Sequence, residues 1–71
     1  MKKEKAFLLE IGNRIASIRK SKGFSHTKLG YLCDIEKSNL IRIEKGRTNP
    51  TSLTLFKISL ALEVSVKDFF E

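Results

Sequence analysis

The chain has 71 residues, 41% of them hydrophobic, and a formal net charge of +6. That length holds one domain with one modest core, and the apolar content excludes a disordered polar chain. A lone Cys33 and a lone His26 exclude an intrachain disulfide and leave no ligand set for a structural metal.

The charge is unevenly placed. Residues 1–47 carry twelve Lys/Arg against five Asp/Glu, a net +7, whereas residues 48–71 carry two against three, a net −1. A polyanion would meet the first two-thirds of the chain and leave the last third for other duties. A solvated basic surface accounts for the charge alone equally well. No apolar run approaches the roughly 20 residues of a membrane span. The basic start is interrupted by Glu4 and Glu10 and leads into no signal-peptide apolar region. A cytoplasmic protein with neither a membrane nor a small-molecule partner, and without a cofactor, is expected.

In chain order, the first helical pattern runs from about Ala6 to Lys22, with Leu8, Ile11, Ile15 and Ile18 on one stripe. Asn13, Ser17 and Lys20 lie off it. Gly23 tolerates the left-handed cap conformation and ends the helix. Ser25 caps a second, short helix with Leu29, Leu32 and Cys33 inward, and Asp34 breaks it. A third helix begins near Glu36 or Lys37, anchored only by Leu40 and Ile43, and stops at Gly46. The polar stretch Arg47–Pro50 is a loop. Thr51 or Ser52 caps a fourth helix with Leu55, Ile58, Ala61 and Leu62 inward. Ser65 caps a fifth, of a turn or two, over Val66–Phe70. Nothing alternates like a strand. The expectation is an all-α, compact five-helix domain filling residues 1–71.

Helices two and three are joined by about three residues, the connection of a helix-turn-helix unit, here residues 25–45. At about 100° per residue, Ser38, Ile41, Arg42 and Lys45 lie opposite Leu40 and Ile43, with Lys37 and Asn39 flanking them. A thinly anchored helix with hydrogen-bonding and cationic groups outward suits the DNA major groove. Read alone, it is equally a solvated surface helix. Enzyme chemistry is not expected, because there are no paired carboxylates, no Gly-rich phosphate loop and no nucleophile beside a base.

Residues 25–64, from Ser25-His26-Thr27-Lys28-Leu29 through Ile43-Glu44-Lys45-Gly46 and Pro50 to Leu62-Glu63-Val64, resemble the helix-turn-helix family of phage Cro proteins, phage repressors and their bacterial relatives, the XRE type. Ser25, Leu29, Leu40, Ile43, Glu44, Gly46 and Pro50 match the family's line, and Leu55, Ile58, Ala61, Leu62 and Val64 match its fourth helix. The resemblance implies a phage-repressor-like fold and a sequence-specific regulator of transcription on double-stranded DNA. Size and layout are similar to the stand-alone controller proteins of restriction-modification systems.

Carried over by position, the resemblance places Lys37, Ser38, Asn39, Ile41 and Arg42 at base edges. It places Ser25, His26 and Lys28 at a phosphate beside the start of helix two. Lys45, Arg47, Thr48 and Asn49 then hold the backbone on the other side. Arg19 and Glu44 become an architectural ion pair rather than Arg19 a phosphate contact. Departures from the family are His26 for Gln, Gly30 for Ala, Asp34 for Gly in the turn and Glu36 for a Ser or Thr cap. Cys33, on an apolar face, is expected in the core rather than as a redox sensor.

Helix four carries more apolar residues than one core needs. Leu55, Ile58 and Leu62 form one face and Leu53, Phe56 and Leu60 another. Phe69 and Phe70 cannot both point inward on one short helix. The surplus, Leu53, Phe56, Leu60, Phe69 and Phe70, is expected at a homodimer interface in residues 52–71. The alternatives are that Phe7 or Leu9 folds over this stripe, or that it binds another protein, as in an antitoxin. A non-specific nucleic-acid binder is the remaining rival.

Overall fold

Lysine, glutamate and alanine fill positions 2–6, and all are good helix formers. In the computed structural model, which describes residues 2–71, the first helix starts there rather than at Ala6. Helix α1 spans Lys2–Ser21, α2 His26–Cys33, α3 Lys37–Glu44 and α4 Ser52–Leu62, and a single 3-10 turn covers Val66–Phe69. Four α-helices and a tight turn thus replace the five helices expected. The reason is length. After Glu63 stops α4, the turn has only four residues, and its bonds close over three residues instead of four, from Asp68 N–H to Ser65 and from Phe70 N–H to Lys67. Asp68 fixes the start of the turn by accepting the Ser65 N–H at 3.1 Å.

All four helices end in the same way. A residue in the left-handed region follows the last turn, and the next N–H reaches back five residues to an otherwise orphaned carbonyl. These bonds are Phe24 to Arg19, Ile35 to Gly30, Arg47 to Arg42 and Val64 to Ser59, each between 2.9 and 3.1 Å. The left-handed residues are Gly23, Asp34, Gly46 and Glu63. Ser25 and Thr51 close two of the starts, their hydroxyls accepting from Lys28 N–H and Thr54 N–H.

Ile11, Ile15, Leu29, Cys33, Leu40, Ile43, Leu55, Ile58, Leu62 and Phe69 form the buried core. Helix α1 packs on α3, and α2 packs on both α3 and α4. Leu32 is exposed rather than inward, since Leu29 and Cys33, one turn apart, take the buried side of α2. Phe69 belongs to the core and not to an outer stripe. It is 0% exposed against 43% for Phe70, because the turn aims one ring inward and its neighbour out. Phe70 meets Phe7 of α1, ring centroids 6.0 Å apart.

Gly12 sets the distance between α1 and α3. A Cβ there would press into the backbone carbonyls of Ile43 and Glu44, the last residues of α3. Gly12→Ala must therefore push the helices apart, and an overpacked site of this kind costs about 1–3 kcal/mol. Thermal denaturation should show the midpoint lowered by roughly 4 °C or more, given a sensitivity of about 4–8 °C per kcal/mol in a domain this size.

Candidate nucleic-acid interface

Helices α2 and α3 are joined by Asp34, Ile35 and Glu36. Asp34 turns the chain at φ 56° and ψ 47°, a conformation that aspartate tolerates better than most residues. The turn folds tightly onto α2, and a Cβ on Gly30 would lie 2.6 Å from the Ile35 carbonyl oxygen. Glu36 occupies the N-cap of α3 in extended geometry without a side-chain cap bond. Its charge still lies at the positive end of the helix.

Leu40 and Ile43 are buried and turn the opposite side of α3 outward. Lys37, Ser38 and Arg42 are exposed, while Asn39 and Ile41 are half-buried. Among the described residues, none of the five side chains hydrogen-bonds another protein group. Beyond α3, Lys45, Arg47 and Asn49 are exposed and Thr48 is half-buried. These four border a groove with Lys5, Leu8 and Leu9 of α1. At the start of α2, Ser25 and Lys28 are exposed, and the Ser25 hydroxyl oxygen accepts the Lys28 N–H at 3.0 Å. The three groups together carry five exposed cations, Lys28, Lys37, Arg42, Lys45 and Arg47.

Behind that surface the structure pairs two buried charges. Arg19 donates through Nε to Glu44 Oε2 at 2.7 Å and through Nη2 to Oε1 at 3.1 Å, a two-point fork. Arg19 Nη1 reaches the Phe24 carbonyl at 2.7 Å. Each of its three nitrogens is therefore engaged within the protein. His26 joins the same cluster, with Nε2 at 2.8 Å from Glu44 Oε1. The sequence pattern gave no sign of this contact, because the two residues sit on different helices 18 positions apart. Asn13 and Lys20 lie outside the residues that the sequence marked as a site. They line a cleft with His26, Ile41 and Lys45, and the available signal was their position off the α1 stripe, two turns apart. Cys33 is buried, its Sγ donating to the Leu29 carbonyl at 3.0 Å. Burial pushes its thiol above the ordinary cysteine value and keeps it protonated.

Two short helices at a tight left-handed turn, the second presenting an unpartnered polar face, define a helix-turn-helix protein. The chain belongs to the helix-turn-helix family HTH_3, which it matches over residues 15–69. It is similar to the transcriptional regulator SinR of Bacillus subtilis, with 44% identity over 57 residues. That match covers 79% of this chain and 51% of SinR, so the chain spans about half the length of this relative. Among solved structures, the restriction-modification controller protein C.AhdI of Aeromonas hydrophila superposes with a TM-score of 0.90 at 28% identity. That alignment covers 92% of this chain and 98% of C.AhdI. SinR, the master regulator for biofilm formation, solved in complex with DNA, gives a TM-score of 0.81 at 40% identity over 86% of this chain and 98% of that one. These relatives are named as regulators or controller proteins, and none of the described helices is long and apolar enough to cross a membrane.

The buried cluster should behave as a unit. Removing either Arg19 or Glu44 as alanine leaves a charge stranded indoors and should cost about 3–5 kcal/mol. Denaturant titration of the two single variants and the double variant should show the double costing far less than the sum. Additive losses would mean that the pair carries no coupling.

Proposed function

We propose that the protein is a sequence-specific double-stranded DNA-binding regulator of transcription that binds a palindromic operator as a homodimer. The observation that carries this reading is the outward face of α3. Two buried anchors hold the helix, and Lys37, Ser38, Asn39 and Arg42 keep hydrogen-bonding capacity that no side-chain bond among the described residues uses, with Ile41 half-buried between them. Family membership and the likeness to SinR, solved with DNA, support it.

In this reading α3 lies in the major groove. Arg42 has the fork to pair with the two acceptors of a guanine, and Ile41 lies against a thymine methyl. Lys45, Arg47, Thr48 and Asn49 on one side, and Ser25, His26 and Lys28 on the other, hold phosphates. Arg42→Ala should relax base preference at one position per half-site, costing about 1–3 kcal/mol. Arg47→Ala should weaken binding to all sequences and flatten the salt dependence by about one ion. Equal losses on selected and random duplexes for both variants, measured across a salt series, would overturn the assignment of α3.

The dimer rests on surplus apolar surface. Leu53, Phe56 and Leu60 are exposed along one side of α4, and Phe70 with Phe7 adds an exposed ring pair. Phe69 takes no part, being in the core. The segment after Arg47 is net −1 and approaches its copy without strong repulsion. Two recognition helices about 34 Å apart read half-sites one turn apart on the same DNA face. Leu60→Glu should give a folded monomer that binds a selected site far more weakly than the parent. Sedimentation of both proteins checks it, and a parent monomeric on and off DNA would leave the stripe to a different protein.

A further inference from the structure

The Glu44 cluster fixes the state of a neighbouring ring. Arg19 donates to both carboxylate oxygens, so Glu44 is ionised and can only accept. At 2.8 Å from Oε1, a bare lone pair on His26 Nε2 would oppose the carboxylate oxygen. The hydrogen must therefore sit on Nε2. A neutral His26 then carries its lone pair on Nδ1, since only one ring nitrogen is a donor in that state.

Nδ1 has no protein partner among the described residues, and the side chain is 29% exposed beside a carboxylate that is 6% exposed. The ring stands in a cleft of about 260 Å³ between α1 and α3, with Asn13, Ala16 and Lys20 on one wall and Ile41 and Lys45 on the other. The charged groups around it are Arg19 and Lys20 from α1, Glu44 and Lys45 from α3, and Lys28 on its own helix. Arg19 and Glu44 cancel one another. What remains is cationic, is lined from α3 by Ile41 and Lys45, and attracts an anion.

A phosphate oxygen reaching Nδ1 meets a lone pair while the ring is neutral and an N–H once it is protonated. We propose that DNA binding by this protein takes up a proton at His26, with Glu44 holding the tautomer that makes the neutral ring a poor phosphate contact and the protonated ring a good one. The proposal rests on the DNA-binding reading above and adds regulation to it. Protonation supplies a charge-assisted bond without releasing Nε2 from Glu44, so the fold needs no rearrangement.

Two measurements test it on the full chain. Nitrogen-15 NMR of the free protein should find the neutral ring as the Nε2–H tautomer, and the Nδ1–H tautomer would overturn the proposal. A fluorescent duplex, selected from random DNA by the parent, is then titrated at constant salt near pH 8 and near pH 6, a range across which histidine changes charge. The parent should bind about three- to tenfold tighter at the lower pH. His26→Gln keeps an amide that can donate to Glu44 and cannot titrate, so its affinity should be flat, and thermal melts at both pH values verify that it is folded. The terminal amine is common to both proteins and cancels in the comparison. Parallel slopes in parent and variant, or a flat parent that still binds, would overturn the proton uptake alone. A parent that binds no duplex at either pH would overturn the DNA-binding reading and the proposal with it.

Discussion

A carboxylate withdrawn from water persists as an anion only when donors saturate its oxygens. Glu44 draws its three contacts from two other helices, two from Arg19 on α1 and one from His26 at the start of α2. Since Glu44 is the last residue of α3, this one group registers the helix that presents the polar face against both of its neighbours. Gly12 supplies the complementary constraint from α1, with backbone touching backbone at the end of the same helix. The apolar anchors Leu40 and Ile43 say which side of α3 faces in. The Glu44 cluster fixes how far along and at what angle it lies.

The caps show how little of the architecture is left to long-range forces. Each helix closes through a bond spanning five residues and one left-handed residue. Two of those residues are glycine, for which the conformation is free, and two are Asp34 and Glu63, for which it is strained. Asp34 lies in the turn on which the spacing of α2 and α3 depends, and its strain is offset by the burial of Leu29, Cys33 and Leu40 on either side. Ends closed this locally leave the core only the task of docking preformed pieces.

Much of this is legible in the residue order. The inward face of α3 follows from Leu40 and Ile43, three apart on one side, and Ser25, Gly23 and Gly46 punctuate the helices by local chemistry. The errors lie where local rules fall silent. Phe69 and Phe70 are adjacent, so pattern allows only one inside, but which one depends on how the chain leaves Glu63. Leu32 sits at the edge of a stripe only eight residues long, too short for periodicity to separate inner from outer. The His26–Glu44 contact has no sequence signature, because nothing in either segment refers to the other. It exists only once α2 has packed against α3.

Among the described residues, the α3 side chains proposed to meet bases make no hydrogen bond within the protein, and Leu40, Ile43 and Glu44, which seat the helix, are buried. Alphabet and frame are thus separate sets of residues on one eight-residue helix. Lys37, Ser38, Asn39 and Arg42 can be rewritten without touching Leu40, Ile43 or Glu44, so the same scaffold can be re-addressed to a different site by changing a handful of letters. The one exception is Ile41, which borders the cleft beside His26. A change there would alter the site read and the surroundings of the ring together.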